Sequence, residues 1–188
     1  MFLSSIKKSA RMKQMIEDLF EVIKMDHGDI KLNRTSINFL ELCEQVIAEN
    51  SELFEQNKLD LLIKLPQTPV TLELDGNQIW RVLENLLGNA AKYSLESSRV
   101  HFKVEELAEE VQVILKNISK YLLDEDAEKL VERFGRGDQS RHSEGNGLGL
   151  AIVDSIVKLH GGTVKIIIDG DMFKVILTLP KQLVDNIE

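Results

Sequence analysis

Apolar residues recur along this chain at two spacings, and each spacing predicts a different kind of element. Between Met12 and Ile23 they lie three or four positions apart, which predicts a helix with one apolar side. Gly28, with the acidic residues around it, is typical of a helix end followed by a turn. We therefore expect residues 1–30 to form a helical appendage whose apolar stripe packs on a second helix or on the chain's own domain.

The rest of the chain, residues 31–188, mixes helical and extended patterns. A short extended piece is expected at 30–34. Helices are predicted after a capping Thr-Ser pair at 35–36, after Asp75, and from near Gly147 to His160. Strands are predicted at 59–65, 70–74, 100–104, 111–115, 164–168 and 173–179, the last two as a hairpin.

Strands that follow one another directly are common in this order, whereas strict alternation of strands and helices is not. We therefore predict an α+β sandwich, in which helices cover one face of a mixed, mostly antiparallel sheet. Residues 119–146 fit neither pattern, because they hold charges and glycines with little apolar periodicity. Loops of this length in a compact domain are usually functional lids or disordered, so we expect a mobile segment there.

Composition and charge limit the kinds of molecule that the chain is expected to bind. Of 188 residues, 43% are hydrophobic and the net charge is −8, so we expect a folded domain that does not bind nucleic acid or an anionic membrane. No apolar run is long enough for a membrane span, and the start lacks the pattern of a signal peptide. The single cysteine, Cys43, excludes an internal disulfide framework and fits the cytoplasm.

Candidate chemistry begins on the helix that follows Asp75. Asn85, Asn89 and Lys92 are spaced i, i+4 and i+7 and therefore share one face of that helix. One amide oxygen together with substrate phosphates suits Mg²⁺, which prefers oxygen ligands and keeps several waters. Lys92 is placed to pair with a phosphate as a point charge. The alternative is an ordinary solvated helix face.

Glycines at 145, 147 and 149 stand where the next helix is expected to begin. The N–H groups at a helix start attract anions, so the triphosphate of a nucleotide would fit there. The run lacks the Gly-Lys-Ser/Thr ending of a Walker A loop, and it does not directly follow a strand as a dinucleotide fingerprint does. Taken alone, it is also compatible with a flexible turn and tight helix packing.

In combination, three stretches resemble the ATP-binding domain of sensor histidine kinases, a Bergerat-type fold shared with gyrase, Hsp90 and MutL. Residues 85–93 resemble the N box, Phe134 with Arg136 resembles the F-box region of the lid, and 145–150 resembles the G2 box. The order and spacing of the three agree with the family. The resemblance implies the same sandwich fold, with an ATP lid at about 119–146.

The resemblance covers about residues 31–181 and implies a domain that binds ATP and Mg²⁺ and donates the γ-phosphoryl group to a histidine. In such a domain Asn89 would hold Mg²⁺. Lys92 and Arg136 would neutralise phosphate charge. Tyr93 would flank the adenine, unless it is a core aromatic. The catalytic residues it implies are Asn85, Asn89, Lys92 and Arg136. The nucleotide-binding residues it implies are Asn85, Asn89, Lys92, Tyr93, Asn117, Phe134, Arg136, Gly145, Gly147, Leu148 and Gly149.

The sequence departs from the family pattern after the central strand. The family carries Asp-x-Gly-x-Gly there, and its Asp accepts a hydrogen bond from the adenine amino group, whereas this chain has Asn117 followed by Ile-Ser-Lys-Tyr. A neutral amide acceptor is expected to weaken binding by about 1 kcal/mol, or roughly fivefold. Ser119 and Tyr121 also restrict the backbone where the family has glycines.

None of the histidines occupies the context of the family's phosphoacceptor, and each is expected to be structural or solvated: His27, His101, His142 and His160. The resemblance implies that residues 1–30 are the C-terminal part of the dimerisation and phosphotransfer helix, and that the acceptor lies outside this chain. The implied partners are that hairpin, in a homodimer of the full-length protein, and a response regulator. The parent protein is expected to be membrane-anchored, with this part in the cytoplasm.

Other members of the superfamily hydrolyse ATP or phosphorylate serine in a partner. They carry a glutamate general base four residues before the magnesium asparagine, where this chain has Asn85, which takes no proton at neutral pH. Glu84 points about 100° away around the helix, so intrinsic hydrolysis is expected to be slow. A catalytically idle module that senses nucleotide or docks partners is the remaining alternative, and the altered 117–121 segment favours it.

Overall fold

The computed structural model describes residues 31–121 and 149–181. The predicted helical appendage and residues 122–146 of the predicted lid lie outside the described residues. Three helices are formed within the described ranges: α1 (Phe39–Gln56), α2 (Gly76–Tyr93) and α3 (Gly149–Leu159). Seven strands accompany them: β1 (Thr35–Asn38), β2 (Asp60–Lys64), β3 (Thr71–Leu74), β4 (Arg99–Glu106), β5 (Glu110–Ile118), β6 (Thr163–Asp169) and β7 (Met172–Pro180).

The strands form two sheets. The larger has five strands in the order β2-β4-β5-β7-β6, and β1 pairs with β3 in a separate two-stranded sheet. Among the strands of the described ranges, only the β2–β4 pairing is parallel, whereas β4–β5, β5–β7 and β6–β7 are antiparallel, as is β1–β3. The predicted α+β sandwich with a mixed, mostly antiparallel sheet is therefore confirmed.

The helices cover one face of the larger sheet, and the strand sequences show why. In β5, Val111, Val113 and Leu115 are buried while the residues between them are only half-buried. This alternation is expected for a sheet with one covered face, because successive side chains point to opposite sides. The buried side chains of the strands join those of the helices in one core, whose largest fully buried members include Phe39, Phe102, Ile79, Leu86, Ile152 and Leu177.

The segment that precedes α1 differs from the sequence expectation. Thr35 and Ser36 do not cap the helix but lie in β1, which pairs with β3 in the register Thr35↔Leu74. The cap is Asn38, whose Oδ1 accepts a hydrogen bond from the Leu40 amide at 3.2 Å. The prediction was wrong because pairing with a strand some 35 residues away satisfies this backbone, and local sequence carries no signal of that pairing.

The end of α3 is set by two glycines, as predicted. Gly161 has φ +74°, a left-handed conformation in which glycine is favoured because other residues are strained there. At Gly162 a β-carbon would lie 2.2 Å from the Thr178 carbonyl oxygen of β7, which leaves no room for any side chain. The pair therefore turns the chain sharply and lets α3 lie close to the sheet.

Cys43 belongs to the core of α1 and is completely buried. Burial raises the pKa of its thiol to about 12, and the neighbouring Glu44 carboxylate adds to the shift. A thiol held protonated in this way is a poor nucleophile, so its role is packing. Among the helices of the described residues, none is long and apolar enough to cross a bilayer.

Candidate functional site

Helix α2 carries most of the predicted site residues, and its two sides differ in polarity. Asp75 caps it as predicted, because its Oδ1 accepts a hydrogen bond from the Gln78 amide at 3.2 Å. One side of the helix is buried through Ile79, Val82, Leu83, Leu86, Leu87, Ala90 and Ala91. Asn85 and Asn89 lie half-buried at its margin, so the asparagine side is held at the edge of the core.

The start of α3 faces these asparagines. A β-carbon at Gly149 would lie 3.0 Å from Asn85 Oδ1 and 3.4 Å from Asn89 Nδ2. Since 3.0 Å is tighter than ordinary carbon–oxygen contact, the absence of a side chain at Gly149 is what admits both amides. The structure thus brings together three residues that lie up to 64 positions apart in the sequence. We call this group, Asn85, Asn89 and Gly149, the amide end of the α2–α3 pair.

The two asparagines are held differently. Asn85 Nδ2 donates a hydrogen bond to the Arg81 carbonyl oxygen at 2.8 Å, which fixes the amide with its oxygen toward Gly149. Within the described residues, the Asn89 side chain makes no hydrogen bond, so its amide is available to an external partner. Glu84 is exposed on α2 and points away from Gly149, as the helical geometry predicts.

The last turn of α2 holds two further predicted residues. Lys92 Nζ lies 5.0 Å from the centroid of the Tyr93 ring, a cation–π distance. Lys120 Nζ donates to the Lys92 carbonyl oxygen at 2.6 Å and also lies 5.4 Å from the centroid of the Tyr121 ring. Lys120 is a cation beside the site that the sequence patterns did not single out, because its position depends on the return of β5 to the helix.

Asn117 lies at the end of β5 on the helix-covered face, in line with Leu115, and is 4% exposed. The chain beyond it is tied down: the Ser119 amide donates to Asp171 O at 2.7 Å and the Lys120 amide to Tyr93 O at 2.9 Å. The lid was predicted to begin at 119, but its first two residues are therefore held by main-chain hydrogen bonds. A buried amide on this face is suited to hydrogen-bonding the edge of a base.

The other predicted site residues lie outside the described residues: Phe134, Arg136, Gly145, Gly147 and Leu148. Their roles stay predictions. Within the described ranges, no group of three or more His, Cys, Asp or Glu side chains is placed to hold a metal ion.

The opposite end of the α2–α3 pair is held by hydrogen bonds among Asp75, His160 and the main chain. The Asp75 amide donates to His160 Nε2 at 3.1 Å, and His160 Nδ1 lies 2.8 Å from the Ile156 carbonyl oxygen. Because Nε2 accepts, the proton resides on Nδ1 and is donated to Ile156. Burial lowers the pKa of His160, which keeps the ring neutral. The prediction that His160 is structural is confirmed, and we call this group the clamp end.

The segment before β1 joins the clamp end. The Asn33 amide donates to Asp75 Oδ2 at 2.9 Å, and Arg34 Nη2 donates to the Leu159 carbonyl oxygen at 2.7 Å. Both oxygens of Asp75 are therefore used, one for Asn33 and one for the helix cap. These contacts span up to 125 positions of sequence, so no local pattern predicts them.

Known proteins resemble this chain in both sequence and structure. The family described as histidine kinase-, DNA gyrase B-, and HSP90-like ATPase matches residues 74–183. The sensor histidine kinase WalK of Bacillus subtilis is 31% identical over 178 residues, covering 92% of this chain and 29% of WalK, so the chain spans less than a third of that relative.

Solved structures share the fold. The Acinetobacter baumannii histidine kinase AdeS superposes with a TM-score of 0.78 at 21% identity, over 97% of this chain and 84% of that chain. The histidine kinase ThkA, solved in complex with the response regulator protein TrrA, superposes with a TM-score of 0.75 at 22% identity, over 94% of this chain and 49% of that chain.

Proposed function

The chain belongs to the histidine kinase-, DNA gyrase B-, and HSP90-like ATPase family, as an ATP-binding catalytic domain of the histidine kinase type, and from that premise we propose that it binds ATP with Mg²⁺ and donates the γ-phosphoryl group to a histidine. The observation that carries the proposal is the meeting of Asn85, Asn89 and Gly149. Phosphoryl transfer requires mainly positioning and charge compensation, and amide, ammonium and helix-start groups supply both.

The donors at the amide end fit Mg²⁺. Asn89 presents an uncharged oxygen donor with no competing hydrogen bond in the described part of the chain, and a hard cation accepts such an oxygen together with phosphate oxygens and water. Asn89 would hold the ion, which would link the phosphates to the protein and neutralise their charge. Asn85, fixed by Arg81 O, would orient the neighbouring phosphate or water.

Phosphate charge is met by cations on two segments. Lys92 stands in the last turn of α2, one turn from Asn89, and we propose that it pairs with the triphosphate. Arg136 is proposed to add a second positive charge. The main chain over 145–149 is proposed to surround the phosphates, since Gly149 begins α3 and its helix start favours anions.

The nucleobase is proposed to lie beside Asn117. Its amide is buried on the helix side of β5, where its oxygen can accept from the adenine amino group. Tyr93, and Phe134 from the lid region, are proposed to flank the base. Replacing a carboxylate by a neutral amide weakens this hydrogen bond, so Asn117→Asp is expected to tighten binding of an ATP analogue about fivefold.

The acceptor histidine and partners are proposed to lie outside the domain. We propose that residues 1–30 are the end of a dimerisation and phosphotransfer helix, that 31–188 form the catalytic domain, and that the lid covers about 119–146. The phosphoryl group would pass from the histidine to an aspartate of a response regulator, and the complex of ThkA with TrrA supports such a partner. The domain is proposed to work in the cytoplasm.

Two alternatives make different predictions. A hydrolytic or serine-phosphorylating relative needs a general base, but Asn85 takes its place and Glu84 points away, so a fast intrinsic ATPase rate would contradict our proposal. A catalytically idle module is favoured by Asn117 at the base site. It would bind an ATP analogue weakly or without dependence on Mg²⁺.

The experiment has two stages. Calorimetric titration with a non-hydrolysable ATP analogue, with and without Mg²⁺, should show binding that depends on the metal. A separate hairpin carrying an acceptor histidine is then added with radiolabelled ATP, and acid-labile label on the hairpin is expected. A hairpin with that histidine changed to glutamine is the control. Absence of any labelling would overturn the kinase assignment, and binding that is weak or independent of Mg²⁺ would favour the idle module.

A further inference from the structure

The face of the five-stranded sheet that carries none of the described helices, which we call the outer face, holds rows of basic side chains. Its half-buried residues alternate with the core residues along β4, β5 and β7. Across these strands the register places His101 opposite Lys116 and Lys116 opposite Lys174, which makes one row of basic side chains. A second row places Lys64 opposite Lys103.

Like charges directly opposite each other across strands are destabilising. A chain selected for stability alone would place carboxylates in these rows, and it has the means, since acidic residues outnumber basic ones by 31 to 23. Lys103 does pair with Glu105. Lys116 and Lys174, however, form no ion pair with any carboxylate in the described part of the chain.

The basic row borders a shallow concavity with apolar walls. A space of about 380 Å³ is lined by Lys116, Lys174 and His101 together with Leu62 and Ile114. Lys64, Lys103 and Glu105 also line it, and Glu105 pairs with Lys103. Leu62, on the edge strand β2, is 39% exposed. Burial and the positive charges of Lys116 and Arg99 lower the pKa of His101, in agreement with a crowded cationic row.

We propose that the outer face docks a segment of a partner protein that presents carboxylates to Lys116 and Lys174 and an apolar side chain to Leu62 and Ile114. The charge complementarity is local, because the chain as a whole carries −8. The negative net charge of the chain repels a nucleic acid or an anionic membrane, because their negative charge extends far beyond the patch. A protein segment can instead place its carboxylates only beside the row of basic side chains. The proposal concerns the face opposite the nucleotide site and does not rest on the proposed function.

The test uses a synthetic probe. A fluorescent peptide of roughly eight alternating Glu and Leu residues, at about 3.3 Å per residue, is long enough to cross the sheet. Binding is measured by fluorescence anisotropy, and amide shifts in NMR spectra locate the contact. We expect saturable binding with shifts at Leu62, His101, Lys116 and Lys174, weakened by added salt.

Matched charge reversals decide the result. The double variant Lys116→Glu/Lys174→Glu should weaken peptide binding at least tenfold. The control Lys58→Glu/Lys158→Glu changes the net charge equally at two exposed lysines elsewhere and should alter it less than twofold. Equal weakening by both doubles would overturn the proposal, as would a failure of the wild-type protein to bind the peptide.

Two further measurements separate the alternatives. Vesicles of phosphatidylglycerol with phosphatidylcholine and a short DNA duplex are tested alongside the peptide, and binding of either in preference to the peptide would overturn the assignment to a protein partner. The neutral variant Lys116→Gln/Lys174→Gln is tested as well, in case the charge-reversal variant does not fold. It should raise the melting temperature, because it removes repulsion, while lowering peptide affinity. A melting temperature that falls would overturn the claim that the row is retained at a cost to stability.

Discussion

The two ends of the α2–α3 pair are built from the same kinds of polar groups, but they use those groups differently. At the clamp end, Asp75 uses both carboxylate oxygens and its amide, and His160 uses both ring nitrogens. At the amide end, Asn89 makes no hydrogen bond within the described residues, and Gly149 leaves room beside it. One end holds the helices together and the other leaves donors and acceptors for a ligand.

Within the α2–α3 pair, the clamp end is expected to contribute to stability and the amide end to ligand binding. A satisfied buried polar group contributes to folding, and loss of one partner leaves the other unpaired at a cost of about 1–3 kcal/mol. A polar group that awaits a ligand contributes little to folding, because its partner is absent until binding. Substitutions at the two ends should therefore affect different measurements.

The largest effect is expected at the amide end. Asn89→Ala should weaken binding of a Mg-ATP analogue at least 100-fold, about 2.7 kcal/mol, because it removes the proposed metal ligand. The free energy of unfolding should change by less than about 0.5 kcal/mol. Asn77→Ala, at an exposed asparagine on the same helix, is the control for calorimetry and urea denaturation. A stability loss as large as the affinity loss would remove the distinction between the ends.

At the clamp end the outcome should be reversed. Asp75→Ala removes the α2 cap and leaves the Asn33 amide unpaired, so the free energy of unfolding should fall by about 2 kcal/mol. Affinity for the analogue should stay within about threefold of wild type, roughly 0.7 kcal/mol. Asp60→Ala, at an exposed carboxylate, serves as control. Urea denaturation measures the first quantity, and an unchanged midpoint would contradict the role assigned to Asp75.

A smaller effect is expected from Gly149→Ala. The new β-carbon would lie 3.0 Å from Asn85 Oδ1 and would displace the amide, so affinity for the analogue should fall about tenfold, or about 1.4 kcal/mol. Gly88→Ala is the matched control, since nothing lies within 4 Å of its β-carbon position. Its affinity should be unchanged. Equal affinities in the two variants would mean that the asparagines adjust without loss.

The smallest effect concerns pH. Burial lowers the pKa of His160 below its unfolded value of about 6.5, so at pH values between the two the unfolded state binds more protons. The stabilisation is therefore complete above about pH 6.5 and is lost as pH falls. Protonation removes the one hydrogen bond from the Asp75 amide, so the loss of stability should be smaller than in Asp75→Ala.

The midpoints of urea denaturation at about pH 7.5 and 5.5 should differ less in His160→Gln than in wild type. The control His101→Gln should retain the difference that is due to His160.

Elements fixed by local patterns were predictable. Asp75 marked the start of α2, Gly161 and Gly162 marked the end of α3, and the turn at 169–171 marked the β6–β7 hairpin. The 3.6-residue period also placed Asn85 and Asn89 on one face of a helix. β1 was missed because its structure depends on β3, and no pattern within residues 35–38 reveals that partner.

The site was predictable only in part, for the same reason. The glycine run suggested that Gly149 lies near a ligand, but its contact with Asn85 depends on how α2 and α3 pack. The clamp was not predicted at all, because Asp75 and His160 are 85 positions apart and each has an ordinary local role. Lys120 was missed as well, since only the return of β5 to α2 brings it to the site.

The contacts of Asn33 and Arg34 also have a mechanical consequence. Arg34 tethers the chain that enters the domain to the C-terminal end of α3, which by helix rise is about 16 Å from Gly149, and Asn33 tethers it to Asp75, the cap of α2. A displacement of the chain before β1 is therefore expected to act directly on both helices of the α2–α3 pair.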